Sequence, residues 1–273
     1  MLKHARAVVA AIILSSILSA CGGGGDVDRP PALPGSISSD PSAAADDAPG
    51  GLMVGYYQED ASNNPEDPTP GTFYMNLPVR SGDYGGQMYY TYVGCQSENV
   101  GTISGNKKVG GDISGTWVGT VDGNPVGGPY DGQYNGLTGL YEGTYRNDGG
   151  KLHIQVEDCI DYHVAANGTF KLFPVEVSWP ASFSLSKGDG DIVSWTHPGD
   201  AAYTFVTVID RAVALTNGTD AILYQNTLPV DPESADDAFD ASGFRQAGRE
   251  RIVVIVSLSG DHRLLAYSSI VIK

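Results

Sequence analysis

Basic residues are scarce in this chain. Sixteen Lys and Arg stand against 32 Asp and Glu, for a formal net charge of −16. No basic face of useful size can form to neutralise phosphates, which excludes a nucleic-acid binder. Charged residues of both signs reach only 18%, against 41% hydrophobic. The chain can bury a core, but its surface must lean on uncharged polar groups. Long apolar runs are also missing. The one run present, Val8 to Leu18, is too short to cross a bilayer as a helix. Catalytic signatures are absent too: there is no nucleophile-elbow serine, paired-histidine zinc helix or phosphate loop. His153, His163, His197 and His262 are scattered. The reading is therefore non-enzymatic, with no cofactor.

Glycine and tyrosine are plentiful instead, at 36 and 15 residues. Both favour strands and tight turns over helices. The fold class expected is all-β. An N-terminal antiparallel Gly/Tyr-rich meander, a curved sheet or barrel, fills residues 52–174. A second β domain fills residues 175–273, where Val, Ile and Ala take over. Domains joined by a short linker, without a large apolar interface, lose stability separately.

Lys3 and Arg6 precede the apolar run, which ends in Leu18-Ser19-Ala20-Cys21. This segment resembles the signal peptide and lipobox of bacterial lipoproteins. The resemblance implies that residues 1–20 are removed and that Cys21 is acylated. Gly22 replaces the aspartate that retains enterobacterial lipoproteins in the inner membrane, which implies an outer-membrane address, leaflet open. Cleavage would leave 14 basic against 32 acidic residues, a net −18. Residues 21–51, rich in Gly, Pro, Asp, Ser and Ala, then read as a lipidated disordered tether with a reach of about 30 Å. Partners follow from this address: the membrane through the lipid, and an envelope protein or glycan.

Residues 111–123 place a glycine at every fourth position, with Ile113, Trp117 and Val121 midway between them. In a strand these three share one face with the bare backbone of Gly115 and Gly119. Asp112, Ser114, Thr116, Thr120 and Asp122 take the other face, with Val118 as its one apolar member. The same five-residue unit recurs around Ile103, Tyr134 and Tyr141. Repeated glycine weakens a strand, so it needs a reason: curvature, or room for a large ring beside a bare neighbour. Tyr56, Tyr57, Tyr74, Tyr84, Tyr89, Tyr90 and Tyr92 fit either a packed core or an aromatic-lined pocket. Gly115-Thr-Trp117, followed by Leu137 to Tyr145, is similar in outline to avidin-like barrels. No biotin-binding set can be laid out on these residues.

In the second domain, strands are expected at 183–185, 191–195, 203–209, 221–225, 251–257 and 264–272. Val193-Ser-Trp195-Thr-His-Pro198, followed by a Tyr203-led strand, resembles the early strands of fibronectin type III domains. The resemblance implies an immunoglobulin-like sandwich with Trp195 in its core. The tyrosine expected near the start of the penultimate strand is absent; Arg251 and Ile252 stand there.

With Cys21 carrying lipid, an exported chain is expected to pair Cys95 with Cys159. Closing that loop stabilises by roughly 4 kcal/mol on a chain-entropy account. Two free thiols, or a Cys/His metal site with His153 or His163, are the alternatives. No metal site is assigned. The weak candidates are Asp189 and Asp191, a fragment of a calcium loop, and Asp236, Asp237 and Asp240. The latter three belong with Asp231 and Glu233 to an acidic group expected in an inter-strand loop. The function expected is a non-catalytic outer-membrane lipoprotein that binds or scaffolds within the envelope. The alternatives are a carrier of a small apolar ligand in the barrel, or a hydrolase with an accessory sandwich.

Overall fold

A computed structural model describes residues 48–59, 70–91, 98–121, 124–147, 153–156, 159–163, 167–218 and 220–273. The first strands are β1 (Gly51–Glu59), β2 (Pro70–Leu77), β3 (Gly82–Thr91), β4 (Glu98–Lys107), β5 (Asp112–Val121), β6 (Asn124–Asn135) and β7 (Leu140–Arg146). A separate hairpin follows, β8 (His153–Val156) with β9 (Cys159–His163), and then β10 (Asn167–Pro174). Strands β1 to β7 and β10 form a closed eight-stranded antiparallel barrel, in which each strand pairs with the next and β10 returns beside β1.

Strand parity assigns the faces. On β5, Ile113 and Trp117 are buried in the bore, while Val118 on the outer face is 55% exposed. This is the alternation read from the sequence. The inward glycines make room for rings. A Cβ at Gly55 would strike the Phe73 ring, one at Gly71 the Tyr57 ring, and one at Gly132 or Gly143 the Phe170 ring. At Gly115 it would meet the backbone of β4 and the Tyr130 hydroxyl. Gly136 and Gly139 differ: they sit in the β6–β7 turn, where Gly139 takes φ +73° and no atom crowds either position.

The remaining strands are β11 (Ser178–Trp179), β12 (Ser186–Lys187), β13 (Ile192–Thr196), β14 (Tyr203–Asp210), β15 (Ile222–Pro229), β16 (Asp236–Asp240), β17 (Arg251–Leu258) and β18 (Leu264–Ile272). They form a five-stranded sheet, β11-β18-β17-β14-β15, and a three-stranded sheet, β12-β13-β16. Val193 and Trp195 from the smaller sheet share a core with Val206, Val208, Val253 and Ile255 from the larger. Two expectations are corrected here. Residues 183–185 are not a strand: Phe183 drops its ring into the shared core, and pairing begins at Ser186. Residues 236–240 are not a loop but a strand that pairs with β13, from Thr196 opposite Asp236 to Ile192 opposite Asp240. Asp-rich sequence disfavours strands; here Phe239 packs against the core while the carboxylates line the edge.

The two regions are joined by a large apolar interface, so the condition for separate melting is not met. Leu52, Val54 and Tyr56 of β1, Tyr74 of β2, Leu140 of β7 and Phe173 of β10 face outward from the barrel. They form one cluster with Phe205, Ile209, Ile252, Val254, Val256 and Tyr267 of the five-stranded sheet. Phe173 stacks on Tyr267 with ring centroids 3.8 Å apart. The layers are thus barrel wall, five-stranded sheet and three-stranded sheet. The central strand β17 is covered on both faces, and every residue from Arg251 to Leu258 is buried. That explains the unbroken run Ile252 to Val256, where a half-buried strand would alternate. Polar pairs fix the docking register. The Thr72 hydroxyl donates to Gln225 Oε1 at 2.6 Å and lies 3.0 Å from the Thr207 hydroxyl. Tyr56 donates to the carbonyl of His262 at 2.9 Å, and Tyr74 to that of Gly218 at 3.1 Å.

Candidate functional site

The barrel bore is the first place to look for a ligand. Its walls are Tyr57, Phe73, Met75, Met88, Ile103, Trp117, Tyr130, Tyr145 and Phe170, and they enclose a void of about 30 Å³ with an entirely apolar lining. Ligand pockets run from about 300 Å³. A void this small and this apolar stays dry. The rings fill the bore by edge-to-face packing: Phe73 on Phe170 at 5.7 Å, Tyr57 on Tyr145 at 5.7 Å, and Trp117 on Tyr145 at 6.4 Å. Polar ends are tied off. Trp117 Nε1 donates to the carbonyl of Arg146 at 2.8 Å, and the Tyr130 hydroxyl to that of Tyr84 at 2.7 Å. Burial pushes the Tyr84 phenol up to about 12 and Tyr130 higher still, so both are neutral hydrogen-bonding groups, not bases.

One end of the barrel is closed by its own chain. Residue 48 enters there, beside the loops 78–81, 108–111 and 136–139. Lys107 lies on the inward parity of Ile103 and Gly105 and is only 2% exposed. Its ammonium donates to the carbonyls of Ala48 at 2.8 Å, Pro78 at 3.1 Å and Pro49 at 3.2 Å. Tyr141 adds a bond to the Pro49 carbonyl at 2.7 Å. Burial lowers the Lys107 pKa, and the ring of carbonyls is what satisfies its three protons. Sequence reading missed this lysine, although its parity on β4 marked it as inward.

The residues singled out in the sequence do not converge. Cys21 and Cys95 lie outside the described residues. Cys159 is described only as backbone at the start of β9, so the pairing of Cys95 with Cys159 lies outside the described residues as well. His153 and His163 stand opposite one another in the β8–β9 register. Asp189 and Asp191 form a 3₁₀ turn, and Asp191 takes φ +64°. Its buried carboxylate is held by Lys187 at 2.6 Å and Arg245 at 3.7 Å, so cationic side chains already occupy that position. Asp236 accepts from the Thr196 hydroxyl at 2.6 Å, Asp237 lies 3.7 Å from His197 Nε2, and Asp240 accepts from the Ser242 amide at 2.9 Å. Asp231 likewise turns the chain by accepting from the Glu233 amide. Among the described residues, no three His, Cys, Asp or Glu side chains are grouped to hold a metal. His197 is buried against Trp195, and burial lowers its pKa despite Asp237.

The open part of the barrel wall is what offers itself to a partner. Among the described residues, no sheet covers the outer faces of strands β4 to β6. Their outer faces present Thr102, Ser104, Asn106, Thr116, Val118, Asp131 and Gln133, all exposed. Ser104 and Thr116 stand opposite one another with hydroxyls 3.4 Å apart. Among the described residues, the result is a surface of hydroxyl, amide and carboxylate side chains around the exposed Val118. No protein-family model, curated protein or solved structure matches this chain.

Proposed function

We propose that this chain is an outer-membrane lipoprotein whose rigid β body binds or scaffolds another envelope component, a protein or a glycan, through its surface. The observation that carries this reading is the filled bore: nine side chains leave about 30 Å³ between them. A carrier of an apolar ligand would ask that space for about tenfold more. A binding body needs rigidity and an uncovered face instead, and the wall of β4 to β6 supplies a face rich in short polar groups. Residues 175–273 are read as an immunoglobulin-like sandwich. The grouping of β12-β13-β16 opposite the five-stranded sheet supports this, as does Trp195 in the shared core. Where such domains carry a tyrosine, Arg251 donates to the Phe244 carbonyl at 3.1 Å and to Asp210 at 2.7 Å, bracing the preceding connection in its place.

The test is a photo-crosslinking residue placed at Thr116 or Val118 in living cells, with Asp200 as an exposed control. A discrete adduct from the wall positions, missing at Asp200, is expected. Purified protein that carries a stoichiometric small molecule in its mass spectrum, with no wall adduct, would favour the carrier instead.

A further inference from the structure

Seven large hydrophobic side chains are exposed among the described residues, and three of them crown one end of the barrel. Val79 (77% exposed), Val109 (66%) and Leu137 (99%) sit at the tips of the loops 78–81, 108–111 and 136–139. These three hairpins leave the barrel at the same end, because β2, β4 and β6 all run toward it. A fourth, Leu215, belongs to the short helix Arg211–Leu215 and is 45% exposed. It lies at the same end, since Asn76 near the close of β2 donates to its carbonyl at 2.8 Å.

Between two of these loops lies a groove of about 410 Å³, lined by Ala48, Val79, Arg80, Ser81, Lys107, Lys108 and Val109. Its charged lining residues are all cationic, on a chain of net charge −16. Lys107 spends its protons on carbonyls and contributes field alone. Arg80 and Lys108 are exposed and enter no ion pair among the described residues. Apolar tips beside a cationic groove match the two zones of a bilayer surface, acyl boundary and anionic headgroup. The chain's path singles out this occupant. Ala48, at the groove, is only 27 residues along the chain from Cys21.

We propose that this barrel end docks on an anionic bilayer surface, with Val79, Val109 and Leu137 entering the headgroup boundary and the groove of Arg80 and Lys108 receiving lipid phosphate. The proposal rests on the lipoprotein reading for the far end of the tether. A short tether raises the local concentration of the docking end, so a contact too weak to bind alone is still populated. Docking would hold the wall of β4 to β6 roughly upright from the membrane, open to a partner.

The test uses the full-length protein in vesicles of phosphatidylethanolamine with phosphatidylglycerol, carrying brominated acyl chains as quenchers. Leu137→Trp and Val118→Trp are compared, both at exposed sites. Tryptophan emission at 137 should be quenched at least threefold more than at 118. Arg80→Glu with Lys108→Glu should remove that difference, as should replacing the phosphatidylglycerol by phosphatidylcholine. Equal quenching at 137 and 118 in the anionic vesicles overturns the proposal and leaves these tips to a protein partner. Anchoring is read separately, by flotation of the unsubstituted chain and the mass of its N-terminal peptide. A chain that is acylated and floats but shows no selective quenching refutes docking alone. An unacylated chain still quenched at 137 refutes the lipid reading and supports docking.

Discussion

The interface between barrel and five-stranded sheet makes a demanding prediction about unfolding. Six barrel side chains, Leu52, Val54, Tyr56, Tyr74, Leu140 and Phe173, are buried by it. Burying one such side chain fully stabilises by about 1.5–3 kcal/mol, so one side of the contact alone represents roughly 9–18 kcal/mol at full burial. That is of the same order as the whole net stability of an ordinary domain, about 5–15 kcal/mol. Neither part can therefore unfold without stripping the other of support. Trp117 lies deep in the bore and Trp195 in the core between the sheets, 5% and 3% exposed. Truncating either to Ala costs about 3–5 kcal/mol. In a cooperative unit of about 220 residues each kcal/mol moves Tm by about 2–4 °C, so either substitution should lower the same transition by roughly 6–20 °C. Scanning calorimetry on the lipid-free protein and both variants measures this. Two resolved transitions, one moved only by Trp117→Ala and the other only by Trp195→Ala, would refute the coupling. Such a result would mean the cluster is worth far less than its burial suggests.

Three further outcomes are expected. Gly115→Ala should destabilise by at least about 2 kcal/mol in urea titration, because the added methyl meets β4 backbone and overpacking costs about 1–3 kcal/mol; Gly136→Ala, with open space around it, should change little, and equal effects would remove the room-for-rings argument. Alkaline pH should unfold the barrel: Tyr74 and Tyr84 are pushed up to about 12 in the folded state, against about 10 unfolded. Their stabilisation is complete below pH 10 and is lost as pH rises through about 12, so a urea midpoint that stays flat from pH 8 to 11.5 would contradict the buried-phenol description. Cys21→Ser should leave the chain uncleaved or release it from the membrane fraction, and non-reducing peptide mapping should link Cys95 to Cys159; normal maturation of the variant, or two free thiols, would remove the respective expectation.

Much of the barrel was legible in the sequence because its rule is local. A strand turns alternate residues to opposite faces, so Ile113, Gly115 and Trp117 declare one face together, and the glycines declare where rings must fit. Trp195 was readable for the same reason, as its parity with Val193 puts both on one side. The strand β16 was not, because Asp236, Asp237 and Asp240 carry no strand preference; its pairing with β13 comes from residues 40–48 positions away. Lys107 was hidden for a different reason: composition argues against burying a lysine, and its burial depends on carbonyls that only the folded chain brings together, from residues 48–49 crossing the barrel end and from Pro78 in the β2–β3 loop. The in-and-out alternation within a barrel strand was thus determined by sequence alone. Tertiary structure alone decided which outward faces stay wet. Tyr56 and Tyr74 share their outward parity with Ser104 and Thr116, yet the first pair is buried under the five-stranded sheet and the second faces solvent. Parity is a property of one strand, whereas cover is a property of whatever the folded chain later lays across it.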